Sequence, residues 1–492
     1  MLLDRDTCYA ALRTRDARFD GRFYTAVLST GIYCRPICPA RTPHTKNCVF
    51  YPSAAAAQAA GFRPCLRCRP EIAPGRAGWH GTETTVTRAL GLLMEDFPED
   101  ERLGHLAARL GITDRHLRRL FDRHLGASPI AVAQTGRVLF AKQLITETRL
   151  SMTDVAFASG FRSVRRFNAV MQRVYGRPPR ELRRADAPDL EPGTQAITLR
   201  LPFTPPLDWA SLVAYLTPRL FPGVEHIDQD SYRRTFRIGA AAGVLDLRPS
   251  SREPALLVRI HAAQVTTFGP VVRRLRQMFD LDADLGAIEA HLAGDPALAP
   301  LVRARPGLRL PGAFDPFELA VRAVLGQQIS VTAAATLARR LVEHFGDPLP
   351  TAYRGVGPVH ALFPAPEVLA RADLTVIGLT GTRARAISSL ARLVLDDPSL
   401  LRGYAPLETS LAALRATQGL GEWTVQYIAL RGLRQPDAFP TTDLGLLRAA
   451  STLEGRRLTP RDLQERAEAW RPWRAYAALH LWSAHSGGNK PT

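Results

Sequence analysis

Lysine is almost missing from this sequence. Of 64 basic residues only Lys46, Lys142 and Lys490 are lysines. A Schiff base, which needs a lysine amine as its nucleophile, is therefore excluded between Lys142 and Lys490. The 64 basic residues outnumber 46 acidic ones, and the formal net charge is +18. Such an excess favours a polyanionic partner, most often nucleic acid; a high-GC genome explains the arginine preference but not the net charge.

Cysteine is also scarce, with six in 492 residues and none after Cys68. The segment beyond Cys68 therefore cannot hold a cysteine-ligated iron–sulfur cluster. No apolar run approaches the ~20 residues of a membrane span, and the charged N-terminus lacks the apolar core of a signal peptide. We expect a cytoplasmic protein without a membrane partner, whose clustered thiols stay reduced and act as metal ligands or nucleophiles.

Four of the six cysteines form two closely spaced pairs. Cys34 and Cys38 stand in "GIYCRPICPA", and Cys65 and Cys68 stand in "GFRPCLRCRP". Two short-spaced pairs predict a tetrahedral site for one Zn²⁺ ion. Between them, "SAAAAQAAGF" predicts a short helix closed by Gly61. Because closed four-cysteine sites are usually structural, a zinc knuckle that only holds a small domain together is the plain alternative.

The other two cysteines, Cys8 and Cys48, have no partner at ligand spacing and are interpreted as structural.

The N-terminal segment resembles the N-terminal domain of the Ada DNA-repair family over most of residues 1–80. The resemblance lies in "TGIYCRPICPAR", "GFRPCLRCRPE" and the aromatic "FYP" before the helix. The resemblance implies that the zinc is both structural and nucleophile-activating, and that Cys34 accepts a methyl group from a methylated DNA phosphate. A zinc-bound cysteine is a thiolate. Methylation of this thiolate removes a negative charge and so strengthens the attraction between the domain and DNA. The reaction does not regenerate the thiol, so each domain acts only once.

An internal repeat follows in residues 84–185. "LAARLGITDRHLRRLFDRHLGASP" and "VAFASGFRSVRRFNAVMQRVYGRPP" match at an offset of 49 or 50 residues. Each copy predicts a small-residue helix, a glycine turn and an arginine-rich helix, the pattern of a helix-turn-helix; a helical bundle with solvated arginines is the alternative. The segment resembles an AraC-type DNA-binding domain. The arginines expected to contact DNA are placed on the two second helices: Arg115, Arg118, Arg119, Arg162, Arg165 and Arg166.

The C-terminal 300 residues begin with alternating stretches. "RTFRIG", "GVLDLRP" and "ALLVRIHA" predict a small antiparallel sheet within residues 196–310. The chain then returns to helical periodicity. In "LRATQGLGEWTVQYIALRG", Gly419 and Gly421 predict a helix-hairpin-helix turn whose backbone N–H groups dock a DNA phosphate. Asp443 follows in "AFPTTDLGLL", directly before a helical run, where aspartate commonly serves as an N-cap.

These features together resemble the AlkA-type 3-methyladenine DNA glycosylases, over roughly residues 196–485 and including "FDPFELAVRAVLGQQIS" and "RPWRAYAALHLW". The resemblance implies hydrolysis of the N-glycosidic bond of alkylated bases, with Asp443 as the catalytic carboxylate and no cofactor. A carboxylate near C1′ stabilises the positive charge that develops on the sugar. A flipped cationic base favours an aromatic pocket. Trp423, Tyr427 and Trp482 match the family's pocket aromatics, with core packing as the alternative.

Three absences and one departure refine these resemblances. The lysine of lyase-type relatives would stand at Trp423, so a Schiff-base mechanism is excluded. The iron–sulfur loop of endonuclease III relatives and the Pro-Cys-His-Arg methyltransferase site of Ada are also missing, because no cysteine follows Cys68. Gln328, in "LGQQIS", stands where the best-known relative has an apolar wedge. It is expected to fill the gap left by the flipped base or to hydrogen-bond the orphaned partner.

The sequence therefore predicts a multidomain, mainly α-helical protein. Its predicted parts are a small zinc domain (1–80), an all-α double helix-turn-helix domain (84–185), an α+β antiparallel-sheet domain (196–310) and an all-α helix-hairpin-helix glycosylase domain (311–485). Proline- and glycine-rich linkers are predicted at 69–81 and 185–194. We expect DNA alkylation repair coupled to transcription control, with double-stranded, alkylated and promoter DNA as partners and RNA polymerase as a further candidate. The alternative is a transcription regulator whose C-terminal domain only binds damaged DNA.

Overall fold

The computed structural model describes residues 4–74, 82–95, 103–184 and 196–487. The chain forms two compact units. The first comprises Met1–Pro205, Ile238–Ala241 and Leu247–Arg273, and the second comprises Pro206–Arg237, Ala242–Asp246 and Arg274–Thr492. The predicted linker 185–194 lies outside the described residues, as does the predicted linker 69–81 from residue 75 onward. Within the ranges given, no helix is long and apolar enough to cross a membrane.

The N-terminal segment is a small sheet with two helices. Its elements are α1 (Arg5–Thr14), β1 (Tyr24–Val27), β2 (Ile32–Cys34), β3 (Cys48–Tyr51), α2 (Ala54–Ala59) and β4 (Arg63–Pro64). The strand order is β3-β1-β2-β4; β1 pairs antiparallel with β3 and β2, and β2 pairs parallel with β4. The helix predicted in "SAAAAQAAGF" is confirmed as α2. Ser53 caps its N-terminus, and Gly61 ends the turn with a φ of 89°.

Six α-helices lie in the described parts of residues 82–184, and they contain the predicted repeat. They are α3 (Thr82–Glu95), α4 (Leu103–Arg109), α5 (Asp114–Leu125), α6 (Pro129–Glu147), α7 (Met152–Ala158) and α8 (Val164–Tyr175). The pairs α4/α5 and α7/α8 are the two helix-turn-helix motifs, and α6 joins them. Thr113 and Ser163 cap the second helices at their N-termini, and Gly126 and Gly176 end them in the left-handed conformation. The predicted double helix-turn-helix fold is confirmed.

A buried network of charged side chains joins the segment directly after Cys68, residues 69–74, to α6. Arg69 directly follows Cys68, and its Nη2 donates to Glu147 Oε1 (2.8 Å) at the end of α6. Lys142 Nζ donates to Glu71 Oε1 (3.1 Å), and all four of these charged side chains are at most 7% exposed. Residues 69–74, which composition assigned to a linker, are therefore packed against the helices instead.

Residues 196–278 carry the predicted antiparallel strands. Their elements are β5 (Ala196–Pro202), α9 (Trp209–Leu216), β6 (Glu225–Asp228), β7 (Ser231–Ile238), β8 (Ala241–Pro249), β9 (Ala255–Ala262) and α10 (Phe268–Met278). In the first unit β5 pairs antiparallel with β9, and alternate residues of both strands are buried. In the second unit β6 pairs antiparallel with β7. The period-two alternation predicted in "ALLVRIHA" is confirmed by the burial along β9.

The rest of the second unit is mainly helical. Its elements are α11 (Leu285–Leu292), α12 (Ala299–Ala304), α13 (Pro316–Leu325), α14 (Val331–Phe345), β10 (Asp347–Pro348), β11 (Ala361–Leu362), α15 (Pro366–Leu369), α16 (Gly381–Asp396), α17 (Leu407–Ala416), α18 (Glu422–Arg431), α19 (Leu444–Glu454), α20 (Pro460–Ala467) and α21 (Arg474–Gly487). The predicted hairpin joins α17 to α18. Its Gly419 has a φ of 89°, and Gly421 is the N-cap of α18. Helix α13 packs against α16 and α18, which fixes the hairpin on the helical core.

Candidate metal centre and active-site cleft

The four closely spaced cysteines converge at one end of the N-terminal sheet. Cys34 is the last residue of β2, and Cys65 directly follows β4, its parallel neighbour. The backbone N–H of Cys65 donates to Tyr33 O (3.0 Å), which continues the pairing and brings the two cysteine pairs together. The Sγ atoms of Cys34, Cys38, Cys65 and Cys68 all lie within 4.8 Å of one another.

This spacing fits a tetrahedral metal site. Thiolates at about 2.3 Å from a zinc ion stand about 3.8 Å apart at the corners of a tetrahedron. The four sulfur atoms are close to that arrangement, and four sulfur ligands are typical of zinc. The sequence prediction of one zinc ion at these cysteines is therefore confirmed.

The surroundings of the four sulfur atoms are not equivalent. The backbone N–H of Arg35 donates to Cys68 Sγ (3.3 Å), and Arg35 Nη1 donates to Cys68 O (3.1 Å). Arg35 is itself buried, and its Nε donates to Asp20 Oδ1 (2.8 Å). A hydrogen bond withdraws electron density from the accepting sulfur, so this contact makes Cys68 a weaker nucleophile.

Cys34 is the most accessible of the four. It is half-buried, whereas Cys38, Cys65 and Cys68 are only 6–7% exposed. Spacing alone does not distinguish the four ligands. Access to a molecule as large as DNA favours Cys34.

The two remaining cysteines lie apart from this cluster. Cys8 packs with Ala11 and Phe23 in a separate small core. Burial, with a smaller contribution from Asp4, raises the pKa of Cys8 to about 11. Cys48 is also buried, and its Sγ donates to His44 O (3.4 Å). Both side chains occupy structural positions, as interpreted from the sequence.

The Asp443 carboxylate is held by three N–H groups. It is the N-cap of α19, and its Oδ1 accepts from the Leu446 backbone N–H (2.9 Å). Oδ1 also accepts from Trp482 Nε1 (2.9 Å), and Oδ2 accepts from Trp423 Nε1 (2.8 Å). The sequence treated capping as an alternative to a chemical role. The structure shows the cap, and adds two indole contacts that a cap does not require.

These side chains line an open cleft of about 870 Å³ in the second unit. The Trp423 and Tyr427 rings are stacked, with centroids 5.1 Å apart and planes at 13°. Tyr427 is 8% exposed, whereas both tryptophans are half-buried. All three aromatic residues singled out in the sequence therefore meet Asp443 in one cleft. Core packing accounts for much of Tyr427 but not for the tryptophans.

Sequence reasoning missed three further groups in this region. Tyr215 and Arg219, from the end of α9 and just beyond it, line the same cleft. The Tyr215 hydroxyl lies 3.2 Å from the Tyr427 hydroxyl, and Arg431 Nη1 donates to the latter at 2.8 Å. Burial raises the pKa of Tyr427, but the guanidinium groups of Arg431 and Arg219 outweigh burial and lower the pKa overall. Nothing in "WASLVAYLTPR" distinguishes Tyr215 from an ordinary helix residue.

Gln328 lies in the turn after α13. It is exposed and has a φ of 53°, a left-handed conformation that is uncommon for glutamine. Its neighbour Gln327 anchors the turn, because Gln327 Nε2 donates to Gly419 O (3.0 Å) and to Thr424 Oγ1 (2.9 Å). Two hydrogen bonds therefore link the turn to the hairpin, directly beside the exposed Gln328.

The arginines predicted to contact DNA are all exposed. Arg115, Arg118 and Arg119 lie on α5, where Arg118 forms an exposed ion pair with Asp114 (2.9 Å). One placement was wrong: Arg162 precedes the N-cap of α8 and lies in the turn, not on the helix. The serine cap at position 163 starts the helix later than the arginine run suggested. Arg165 and Arg166 lie in the first turn of α8, as expected.

Four family models match the chain in sequence order. They are the metal binding domain of Ada (residues 7–71), a helix-turn-helix domain (106–185), the AlkA N-terminal domain (198–315) and the HhH-GPD superfamily base excision DNA repair protein (321–475). The chain resembles a probable bifunctional transcriptional activator/DNA repair enzyme AlkA of Mycobacterium tuberculosis. The two are 40% identical over 484 residues, which are 98% of this chain and 96% of that protein.

Two further relatives match the C-terminal part. DNA-3-methyladenine glycosylase 2 of Escherichia coli is 32% identical over 285 residues, 57% of this chain and 95% of that protein. The solved structure of a 3-methyladenine DNA-glycosylase from Archaeoglobus fulgidus superposes with a TM-score of 0.51 at 21% identity. That superposition covers 58% of this chain and 98% of the other, and it supports the fold.

Proposed function

Because the chain belongs to the family of bifunctional transcriptional activator/DNA repair enzymes of the AlkA type, we propose that Asp443 is the catalytic carboxylate of its glycosylase activity. The protein is a DNA repair enzyme and a DNA-binding regulator. It hydrolyses the N-glycosidic bond of alkylated bases such as 3-methyladenine. The observation that carries the residue assignment is the Asp443 carboxylate, fixed between two tryptophan indoles in an open cleft.

The three hydrogen bonds to Asp443 do not use every lone-pair site of its carboxylate. An ionised carboxylate offers about four lone-pair sites, and the three N–H donors occupy three of them. The remaining site can face the sugar C1′ or orient the attacking water. A carboxylate that is already aligned stabilises the oxocarbenium-like charge without reorganising when the bond breaks.

The aromatic residues suit the base that leaves. A flipped base stacks on flat rings, and an alkylated cationic base gains cation–π attraction as well. We assign base binding to Trp423, Tyr427 and Trp482. Since Trp423 occupies the place where a lyase would carry its lysine, the reaction is hydrolysis by water without a covalent enzyme–DNA intermediate.

The second unit also offers groups for holding DNA. The hairpin presents Gly419 and Gly421 at the N-terminus of α18, which favours a backbone phosphate. Gln328 projects from the anchored turn beside it and is proposed to occupy the space left by the flipped base. Its amide can hydrogen-bond the unpaired partner, which an apolar wedge cannot do.

The zinc centre supports a second, single-use activity. We propose that the Cys34 sulfur attacks the methyl carbon of a DNA methylphosphotriester. An S–C bond forms, the C–O bond breaks, and its electron pair stays on the phosphate oxygen. Zinc bound by the four cysteines would keep their sulfurs as thiolates. The buried Arg35–Cys68 contacts hold the loop in place. The exposure of Cys34 relative to the other ligands supports this choice.

Regulation is assigned to the two helix-turn-helix motifs. We propose that Arg115, Arg118 and Arg119 on α5, with Arg162, Arg165 and Arg166 at α8, bind promoter DNA, and that RNA polymerase is the further partner. Methylation of Cys34 removes a negative charge from the zinc centre, which strengthens binding to DNA phosphates. The predicted ranges 1–80, 84–185, 196–310 and 311–485 remain our proposal for the domains. We propose a cytoplasmic location, because thiols that bind zinc must stay reduced.

Two measurements on one sample test both activities. The full chain is incubated with methylated duplex DNA, released bases are separated by chromatography, and the protein is analysed by peptide mass spectrometry. We expect free 3-methyladenine in solution and one added methyl group on Cys34. Binding without base release would mean that the second unit only recognises damage. Base release without a modified Cys34 would mean that the zinc centre is structural.

A further inference from the structure

Two tyrosines that line the active-site cleft are in contact through their hydroxyl groups. Tyr215, on α9, and Tyr427, on α18, both line it, and their hydroxyl oxygens are 3.2 Å apart. Arg431 Nη1 donates to the Tyr427 hydroxyl at 2.8 Å. The same guanidinium donates to Pro311 O (2.6 Å) and Gly312 O (3.1 Å), so its position is fixed.

The hydrogens of this cluster can be counted. Arginine only donates, so the Tyr427 oxygen accepts from Arg431. The two phenols carry two hydroxyl hydrogens but share one O···O contact, which uses one of them. Whichever tyrosine donates to the other, one hydroxyl hydrogen remains for a group in the cleft. A hydrogen bond from a cationic donor polarises the phenol and makes that remaining hydrogen a better donor.

The charge beside these tyrosines also favours a particular leaving group. The Arg219 guanidinium lies 3.9 Å from the centroid of the Tyr215 ring, and the Arg431 guanidinium lies 5.1 Å from it. Arg322, which also lines the cleft, donates to Arg219 O (3.2 Å). Fixed positive charges stabilise negative charge that develops on a departing base.

We propose that the Tyr215–Tyr427 pair, polarised by Arg431, donates a hydrogen bond to the edge of the flipped base and thereby assists the departure of uncharged purines. This proposal rests on the glycosylase function proposed above. A cationic methylated purine leaves as a neutral molecule and gains little from a donor. An uncharged purine leaves with the electron pair of the C1′–N9 bond, so a donor to its ring nitrogen or oxygen stabilises it directly.

The step balances without a further reactant. The C1′–N9 bond breaks, and its electron pair leaves with the base. The oxygen of water bonds to C1′, stabilised by Asp443, and the proton that the water loses neutralises the base. The tyrosine hydroxyl keeps its own proton throughout and acts as a hydrogen-bond donor, while Arg431 is a positioning residue.

The proposal is tested with the variant Tyr215→Phe, which keeps the ring under Arg219 and removes one hydroxyl. Single-turnover excision is measured in parallel on duplexes that carry hypoxanthine, which is uncharged, or 7-methylguanine, which is cationic. We expect the ratio of the hypoxanthine rate to the 7-methylguanine rate to fall about 10-fold or more. Because both rates come from one preparation, the ratio does not depend on the fraction of folded protein.

Two further variants make the test specific. Tyr427→Phe should lower the same ratio, because it removes the phenol that connects Arg431 to Tyr215. Tyr404→Phe, at a buried tyrosine outside the cleft, should leave it unchanged. An unaltered ratio in Tyr215→Phe overturns the proposal, as does a wild-type protein that releases 7-methylguanine but no hypoxanthine. In both cases the glycosylase function stands, whereas release of neither base by the wild type would remove the function itself.

Discussion

Asp443 combines an observed helix cap with the catalytic role that we propose for it. Its Oδ1 caps α19 through the Leu446 N–H, and its two oxygens accept from the Trp482 and Trp423 indoles. The sequence separated a cap from a catalytic carboxylate as competing interpretations. In the structure the cap is part of what aims the carboxylate, so the two interpretations do not compete.

This arrangement gives a prediction for Asp443→Asn. We expect excision of 3-methyladenine to fall by at least ~100-fold, since one preorganised charge is typically worth 10²–10³ in rate. From the sequence alone, no change in stability is expected, because asparagine also caps helices. The structure revises this expectation. The asparagine amide has one accepting oxygen, so its NH₂ group must face an indole N–H. We expect the free energy of unfolding to fall by about 1–2 kcal/mol. Single-turnover kinetics and thermal melting measure the two effects.

The control for Asp443→Asn is the same substitution at another helix cap. Asp284 caps α11 by accepting from Ala287 N (3.3 Å) and does not line the cleft. Asp284→Asn should excise 3-methyladenine at the wild-type rate. A fully active Asp443→Asn enzyme would remove the carboxylate from the mechanism. Borohydride should trap no covalent protein–DNA complex with the wild type or with Asp443→Asn, because we propose that Trp423 stands where a lyase carries its lysine.

At the level of elements, periodicity and glycine placement were enough for much of the fold. The two helix-turn-helix pairs and the hairpin were predictable because each turn needs a glycine at a specific backbone position. The start of α8 was missed, because Ser163 caps the helix after Arg162 and not before it. The Tyr215–Tyr427 contact joins residues 212 positions apart, and no local pattern records such a contact. Spacing likewise could not show which zinc ligand is exposed.

The hairpin offers a test at this scale through Gly419→Ala. A Cβ at this position would lie 2.8 Å from the Ala386 Cβ, and the φ of 89° is strained for alanine. We expect the free energy of unfolding to fall by more than ~1 kcal/mol from the backbone conformation alone. We also expect weaker DNA binding, because the turn must move. Gly421→Ala is the matched control for stability, since its Cβ would have open space. Calorimetry should separate the two variants; equal melting temperatures would contradict the packing argument.

At the scale of the whole molecule, the two proposed catalytic residues lie in different compact units. Cys34 belongs to the first and Asp443 to the second. We therefore predict that Cys34→Ser abolishes methyl acceptance while base release stays within about 2-fold of wild type. Mass spectrometry and base-release assays on the same preparation measure both. Loss of both activities would show that the zinc centre supports more of the molecule than its own unit.

Within the first unit, by contrast, buried hydrogen bonds join the segment after Cys68, helix α6 and strand β5. Glu147, at the end of α6, accepts from Arg69 in the zinc-binding loop (2.8 Å). It also accepts from Arg200 in β5, through the backbone N–H (3.0 Å) and Nε (3.1 Å). Its side chain is only 4% exposed. One buried carboxylate therefore joins residues from the three predicted ranges 1–80, 84–185 and 196–310.

This connection predicts a large effect for Glu147→Gln. The glutamine NH₂ cannot accept, so at least one of the buried donors from Arg69 or Arg200 loses its partner. Breaking a buried ion pair on one side costs on the order of 3 kcal/mol. We expect the first unit to unfold at lower urea concentration, with zinc release and loss of helical signal in one transition. Glu253→Gln is the matched control, because Glu253 is 37% exposed and its Oε1 accepts from Arg200 Nη1 (3.3 Å). Exposed pairs contribute less than about 1 kcal/mol. If zinc release and helix loss occurred in separate transitions in the wild type, the zinc loop and α6 would be independent, and Glu147 would not join them.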